Sequence, residues 1–492
     1  MINTGRRKEW RLAVISLTIF LSLSGLYSQE RFRRNPPYPE PISSMKFPPI
    51  ESAVLNNGLK IITITRLNHP IFNIQILIQA GEANSPPQLS GLATITARML
   101  LRGTLSMSAS EIENKLESLG IDYTLEVQAD YILFSFTFLE ENLDQALGLI
   151  SSFFSEPSFP ELELISAKRE LYYQLLERKK DPENAAYDFF LKSLFSGSGY
   201  NPGLIDEENI KNIAQKDVVY FHKTFLRPNN SIIVLNGDIN INNAGYKISR
   251  AFNRWVSRPI EKENASAVLK NKNYPYPFFL DMGSKDISII SGNVVCPVAS
   301  DDYFPLLVLN QILGGGTGSR LFLTLRESKA LVFYAFSDLG FIKNNGWLWT
   351  RIRTSPESAA EAIKEVQAEF KDLSQEKLDP LELEKAKAFL IGNFPLQNQI
   401  PEQISKRIGL SAFFQLPLDY WNRYNEYIMP ISAERVQEVA KKYFSNQPLI
   451  VIAGDLNSAL DYLKEFDRIE IYNKKGQAIA TFQKGVLKYE NH

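Results

Sequence analysis

The chain has 492 residues, too many for one hydrophobic core, so two or more domains are expected. Hydrophobic residues make up 44% and charged residues 22%, enough apolar surface to fold, which excludes a disordered tail protein. Lysine and arginine number 54 against 55 acidic residues, a balance that leaves no field to hold nucleic acid or an anionic membrane, so partners are chosen by shape and local contact.

Arg6, Arg7, Lys8 and Arg11 precede an apolar run from Leu12 to Leu26, and the order reads as a secretory leader, residues 1–28, cut near Ser28-Gln29. This predicts a secreted, periplasmic protein with no integral membrane span after cleavage, since the run falls short of about 20 residues and contains Ser and Thr. No Cys stands at the cut to carry a lipid, and the single cysteine, Cys296, reads as a buried structural thiol. Residues 29–47, rich in Arg and Pro, form an extended lead-in.

Folded structure is expected from near Ile50. Leu59 to Thr65 alternates as a strand, Asn68-His69-Pro70 breaks it, and Ile71 to Ile78 resumes as a second strand running into Ala80-Gly81-Glu82. Leu89, Leu92, Ala93, Thr96, Met99 and Leu100 share a helical stripe that stops at Gly103. Ser108 and Glu111 carry the capping-box signature of a second helix. A strand pair covers Tyr123 to Leu139, a third helix carries Leu143, Leu147, Ile150 and Phe154, and a fourth runs from Glu161 to Lys180 before Asp181-Pro182. The strand SIIVLNGDIN closes this half.

The order then repeats: a strand near Ile287 to Val298, an apolar helix from Asp302 to Leu313 stopped by Gly314-Gly315-Gly316, the helical SRLFLTLRES, strands through Trp349, a helix opened by Ser355-Pro356, and a closing strand PLIVIAGDLN. Gly103-Thr104 matches Gly316-Thr317 at an offset of 316 − 103 = 213, and Gly237-Asp238 matches Gly454-Asp455 at 454 − 237 = 217. Such agreement predicts two homologous α+β domains, 48–260 and 275–492, joined by a polar linker at 261–274.

The segment AGEANSPPQLSGLATITARMLLRGT, with Gly91-Leu92-Ala93 and Met99 to Thr104 fixing the register, resembles the zinc-binding segment of the insulinase/pitrilysin peptidases, in the branch that includes processing peptidases. The stretch NQILGGGTGSRLFLTLRESKALVFYAFS is similar to that family's C-terminal signature, and FLRPNNSIIVLNGDIN and VIAGDLN extend the likeness over nearly the whole mature chain. The resemblance implies two domains of one α+β fold, each a mixed β-sheet with helices packed on one side, and a clam-like enclosure of unfolded peptide.

Zinc hydrolysis needs three ligands, an open position for water and a nearby carboxylate base. On the register the resemblance sets, the two helical His positions hold Thr94 and Arg98, the base position holds Ala97, and alignment on Asp181-Pro182 puts Gln174 at the third ligand. Thr is a poor neutral ligand, Ala has no acceptor, Arg brings a fixed positive charge and Gln lacks a carboxylate. No metal is therefore expected in this chain, and zinc is expected only in a partner. His69, His222 and His492 stand at no ligand spacing and read as surface or turn histidines. Glu161/Glu163 and Glu382/Glu384 read as solvated helix faces, and the three glycines lack the Lys-Ser/Thr of a phosphate loop.

In the two-subunit branch the zinc-free subunit brings an Arg and a Tyr to the substrate backbone. The Arg position matches Arg326, while the Tyr position holds Phe333, which has no hydroxyl for an oxyanion; a one-residue shift would restore the contact through Tyr334, at the cost of turning the side chain to the other face of the strand. The plain structural alternative is that Arg326 pairs with a nearby carboxylate and Phe333 fills core. The resemblance and the missing ligands together imply a non-catalytic subunit paired with a zinc-bearing homologue around a peptide or unfolded polypeptide. The alternative is a non-enzymatic scaffold or peptide-binding protein of the same fold.

Overall fold

A computed structural model describes residues 44–260, 269 and 272–489. The leader, most of the lead-in and most of the linker lie outside the described residues.

The first half runs β1 (Ile50–Val54), β2 (Lys60–Thr65), β3 (Ile71–Ile78), α1 (Leu92–Met99), α2 (Ala109–Ser118), β4 (Asp122–Val127), β5 (Ile132–Leu139), α3 (Leu143–Ser155), α4 (Glu161–Lys180), α5 (Pro182–Leu194), α6 (Gln215–Phe225), β6 (Ser231–Gly237) and α7 (Ile241–Ala251). The second runs β7 (Phe278–Asp281), β8 (Ile287–Val295), α8 (Tyr303–Leu313), β9 (Val332–Ile342), β10 (Asn345–Thr354), α9 (Ala359–Gln375), α10 (Pro380–Leu396), α11 (Pro401–Phe413), α12 (Ala433–Phe444), β11 (Leu449–Gly454), β12 (Arg468–Asn473), β13 (Ala478–Gln483) and β14 (Val486–Tyr489). The sequence marks several boundaries chemically. Ser108 accepts from the Glu111 amide as the capping box requires, and Asp181 and Asp379 each cap a helix with Pro at its first position.

The strand order β2-β6-β3-β5-β4 of the first sheet reappears as β7-β11-β8-β10-β9 in the second, so the repeat is structural as well as sequential. The parallel pair β2 with β6 recurs as β7 with β11, and β7 is parallel to β12 as well, while the other neighbours are antiparallel, which makes both sheets mixed. Strands β12 to β14 extend only the second sheet. Among the described residues no helix is long and apolar enough to cross a membrane.

The central strands β6 and β8 are buried on both faces, as near-continuous apolar strands such as SIIVLNG require. Ile61, Phe72, Ile74, Ile76 and Leu235 face the helices of their own half, whereas Ile62, Ile64, Leu77 and Val234 point the other way into a core shared with the second half. What covers that other face is exchanged between the halves. Helix α11 lies across β3 and β6, and α5 lies across β8 and β11, where Ala186, Phe190 and Leu191 meet Leu280, Ile290 and Val451. The exchanged helices are repeat equivalents, 401 − 182 = 219. Polar bonds fix the seating of α11: Gln75 Nε2 donates to the Glu402 carbonyl at 2.8 Å and Asn236 Nδ2 to the Pro401 carbonyl at 3.0 Å.

His222 departs from the surface placement its sequence suggests. It lies on the inner face of α6, 7% exposed, with Nε2 3.0 Å from the Phe154 carbonyl and the Phe159 ring at its edge. Burial pushes its pKa down to about 4, so the neutral ring donates to that carbonyl. A depressed histidine pKa adds stability that is complete above the unfolded value near 6.5 and is lost as pH falls towards about 4. The loss is about 3 kcal/mol. Urea midpoints taken from pH 7 to pH 4.5 are expected to fall steeply in the wild type and less steeply, by about that amount, in His222→Gln. Parallel slopes would show that the ring is not buried as described.

Candidate functional site

Helix α1 begins at Gly91, whose φ of +97° suits glycine, and it is capped from outside its own sequence. Glu82, 1% exposed, places one carboxylate oxygen on the Thr94 amide at 2.8 Å and on the Thr94 hydroxyl, and the other on the Gly91 amide at 3.0 Å and the Ser85 hydroxyl at 3.0 Å. A carboxylate at a helix N-terminus is favoured by the unpaired amides and the helix dipole. Glu82 is not among the residues that sequence reasoning singles out. It lies within the motif-bearing segment, but nothing in the local pattern distinguishes a buried glutamate from a solvated one.

The four degenerate positions take structural duties. The Thr94 hydroxyl donates to Glu82, and Ala97 is fully buried in the core of the first half. Arg98 Nη2 donates to Gln174 Oε1 at 2.7 Å, so the second and third ligand positions face each other across α1 and α4. One turn on, Arg102 binds Glu170 at 2.5 Å and Glu163 at 3.5 Å. Glu163 is thus paired rather than only solvated, as is Glu382, which takes Arg320 bidentately at 2.8 Å on both oxygens. A hydroxyl, a methyl, a guanidinium and a side-chain amide do not fit zinc, because the cation and its hydrogen bond fill the place where the metal would sit. Among the described residues no group of three or more His, Cys, Asp or Glu is arranged to hold a metal ion.

The element carrying Arg326 is wound as a π-helix, Phe322–Ser328, a form concentrated at functional sites. It is anchored on one side by Arg320 to Glu382, Thr324 to Glu369 at 2.8 Å, and Lys329 to Glu365. Behind it Gly314 packs against β9 so closely that a Cβ would come within 2.3 Å of the Ser337 amide, which explains the glycine at the end of α8. Arg326 itself is exposed and has no ion-pair partner among the described residues. The pairing of β9 with β10 steps from Arg353↔Tyr334 to Thr354↔Val332, skipping Phe333. That bulge turns Phe333 outward, 54% exposed. Neither residue takes the internal role of the structural alternative. The Tyr334 hydroxyl donates to the Glu183 carboxylate at the start of α5, and burial with that bond pushes its pKa up to about 12. The structure thus separates the two neighbours, with Phe333 facing solvent and Tyr334 tying β9 to the exchanged helix.

These two regions are equivalent in the repeat. α1 flanks β4 and the π-helix flanks β9, and each of these strands is the free edge of its sheet.

Comparison with known proteins agrees with this construction. Residues 60–207 match the family model described as Insulinase (Peptidase family M16) and residues 212–390 the model described as Peptidase M16 inactive domain. A Helicobacter pylori protein named non-peptidase homolog YmxG is 24% identical over 79% of this chain and 90% of its own length. The Dictyostelium discoideum mitochondrial-processing peptidase subunit alpha-2 is 20% identical over 83% of this chain and 93% of its own. A crystal structure of a peptidase M16 inactive domain from Pseudomonas fluorescens superposes with a TM-score of 0.76 at 22% identity, covering 83% of this chain and 98% of that one.

Proposed function

We propose, for a chain that belongs to the peptidase M16 (insulinase) family, that it is a non-catalytic subunit: it pairs with a zinc-bearing homologue, helps enclose the peptide and offers Arg326 to the substrate backbone. The observation that carries this is a contrast. Thr94 and Ala97 are buried and Arg98 and Gln174 are spent on each other at the surface, while Arg326 and Phe333 stand exposed on an anchored π-helix and a bulge. Among the described residues strand β4 beside α1 pairs only with β5, which leaves one row of backbone groups available to an extended peptide. The names of two relatives support the direction: one is called a non-peptidase homologue and the other an alpha subunit of a processing peptidase. The basic and then apolar N-terminus supports a periplasmic site of action.

Co-expression with a zinc-bearing homologue from the same genome is expected to give a stable heterodimer with peptidase activity. Arg326→Ala in that heterodimer should lower kcat/KM roughly ten- to hundredfold, the worth of a charge-assisted hydrogen bond to substrate. Undiminished activity would remove Arg326 from the mechanism. Absence of any complex would hand the case to the scaffold alternative.

A further inference from the structure

Four residues beyond Gln174 on α4, on the same face, Arg178 opens onto a cavity of about 440 Å³ at the seam between the two halves. This volume falls within the usual range of small-ligand sites. The first half supplies the β4–β5 turn, the end of α4, part of α5 and the 202–205 loop; the second supplies the β9–β10 hairpin and the end of α11. Two properties of the lining define what fits.

The first is an aromatic wall formed by Tyr131, Phe341, Phe413, Phe414, Tyr187 and Trp347. It is held rigid by its own contacts: the Tyr131 and Phe413 rings meet edge-on at 5.6 Å, and Trp347 Nε1 donates to the Tyr187 hydroxyl at 3.2 Å. Such a wall takes a flat ring without having to reorganise.

The second is an imbalance of hydrogen-bonding capacity. Each oxygen of the acidic groups at the cavity already holds a donor: Asp130 accepts the Tyr200 hydroxyl at 2.6 Å on one oxygen and the Lys343 amide at 2.6 Å on the other, and Asp188 takes Arg178 on both. The cations are not. Arg178 uses Nε and Nη2 on Asp188, leaving Nη1, and the Lys179 ammonium has Glu207 as its one partner among the described residues. The donors left over at the cavity are therefore cationic ones, which suit an anionic acceptor.

We propose that this cavity binds an aryl group bearing a carboxylate, its ring against the aromatic wall and its oxygens on Arg178 Nη1 and the Lys179 ammonium. Two sources supply that chemistry, a free small arylcarboxylate and the C-terminal aromatic residue of a polypeptide. The site is independent of the proposed subunit role, although a ligand there touches both halves and braces the seam beside the exchanged helix α5.

Calorimetric titration of the mature chain with N-acetyl-phenylalanine and with its carboxamide tests this. The acid is expected to bind at least tenfold more tightly than the amide. Lys179→Gln should abolish that preference while leaving the amide's affinity unchanged; Arg178→Gln provides a second variant if the first fails to fold. A peptide ending in Phe that binds as tightly as the acid, while its C-terminal amide does not, identifies a polypeptide end as the source; binding of the free acid alone identifies a small ligand. Equal affinities for acid and amide, or no binding of either, overturn the proposal.

Discussion

Glu82→Ala is expected to lower the stability of the protein by about 3 kcal/mol, seen as a reduced urea midpoint with an unchanged slope. The substitution removes the acceptor of four donors at once, two backbone amides and two hydroxyls, all in the interior at the start of α1. Each buried donor left unpaired costs about 1–3 kcal/mol, offset in part because the variant no longer has to desolvate a charge. The pH dependence makes the test sharper. Burial holds the Glu82 carboxyl above its ordinary value of 4.5, with the bonds from Thr94, Gly91 and Ser85 drawing it back down. The folded state therefore binds this proton more tightly than the unfolded state. That contribution is present in full below the unfolded value and is lost as pH rises through the raised folded value. The deficit of Glu82→Ala should accordingly be widest in acid and narrow towards neutral pH. A deficit that grows with pH would mean that the donors outweigh burial and that the carboxylate is favoured in the folded chain.

How far the sequence alone reaches can be judged from particular residues. Repeat offsets of 213 and 217 led directly to two sheets of the same strand order, because a duplicated unit keeps its turns and caps in step. The positions of Thr94, Ala97, Arg98 and Gln174 came from flanking glycines and from Asp181-Pro182, and the Arg98–Gln174 bond brings two of them together in space. Harder to see was anything set by distant chain. α5 and α11, which follow Asp-Pro and Ile-Pro, have no counterpart among the elements expected from the sequence, and nothing local says that each crosses to the other half. His222 and Glu82 are polar types that default to the surface, and only the packed structure shows that a carbonyl or a helix end holds each inside. The exposure of Phe333 depends on a one-residue step in strand pairing, which periodicity of side chains cannot reveal.

The same geometry separates metal binding from catalysis in a reversion experiment. Thr94 and Arg98 are four apart on α1 and share a face, and Arg98 already reaches Gln174 at 2.7 Å. Thr94→His, Arg98→His and Gln174→Glu together should therefore place two imidazoles and a carboxylate within ligand reach of one point and remove the positive charge that opposes a metal. Glu82 still accepts the backbone amides of Gly91 and of position 94, so α1 keeps most of its cap and loses only the Thr94 hydroxyl bond. The triple variant is expected to retain about one zinc ion per chain after dialysis, against a trace in the wild type. It should not hydrolyse peptides, since position 97 still offers no base. Adding Ala97→Glu is harder than the sequence suggests, because Ala97 is fully buried and a carboxylate there meets both crowding and desolvation. A loss of about 2–4 kcal/mol is expected on that fourth step, measured by thermal or urea unfolding of the zinc-loaded triple and quadruple variants. If the triple variant holds no more zinc than the wild type, α1 and α4 are not in ligand register and the assignment of Gln174 fails. If Ala97→Glu is accommodated without cost, the floor beneath α1 is more open than its packing indicates.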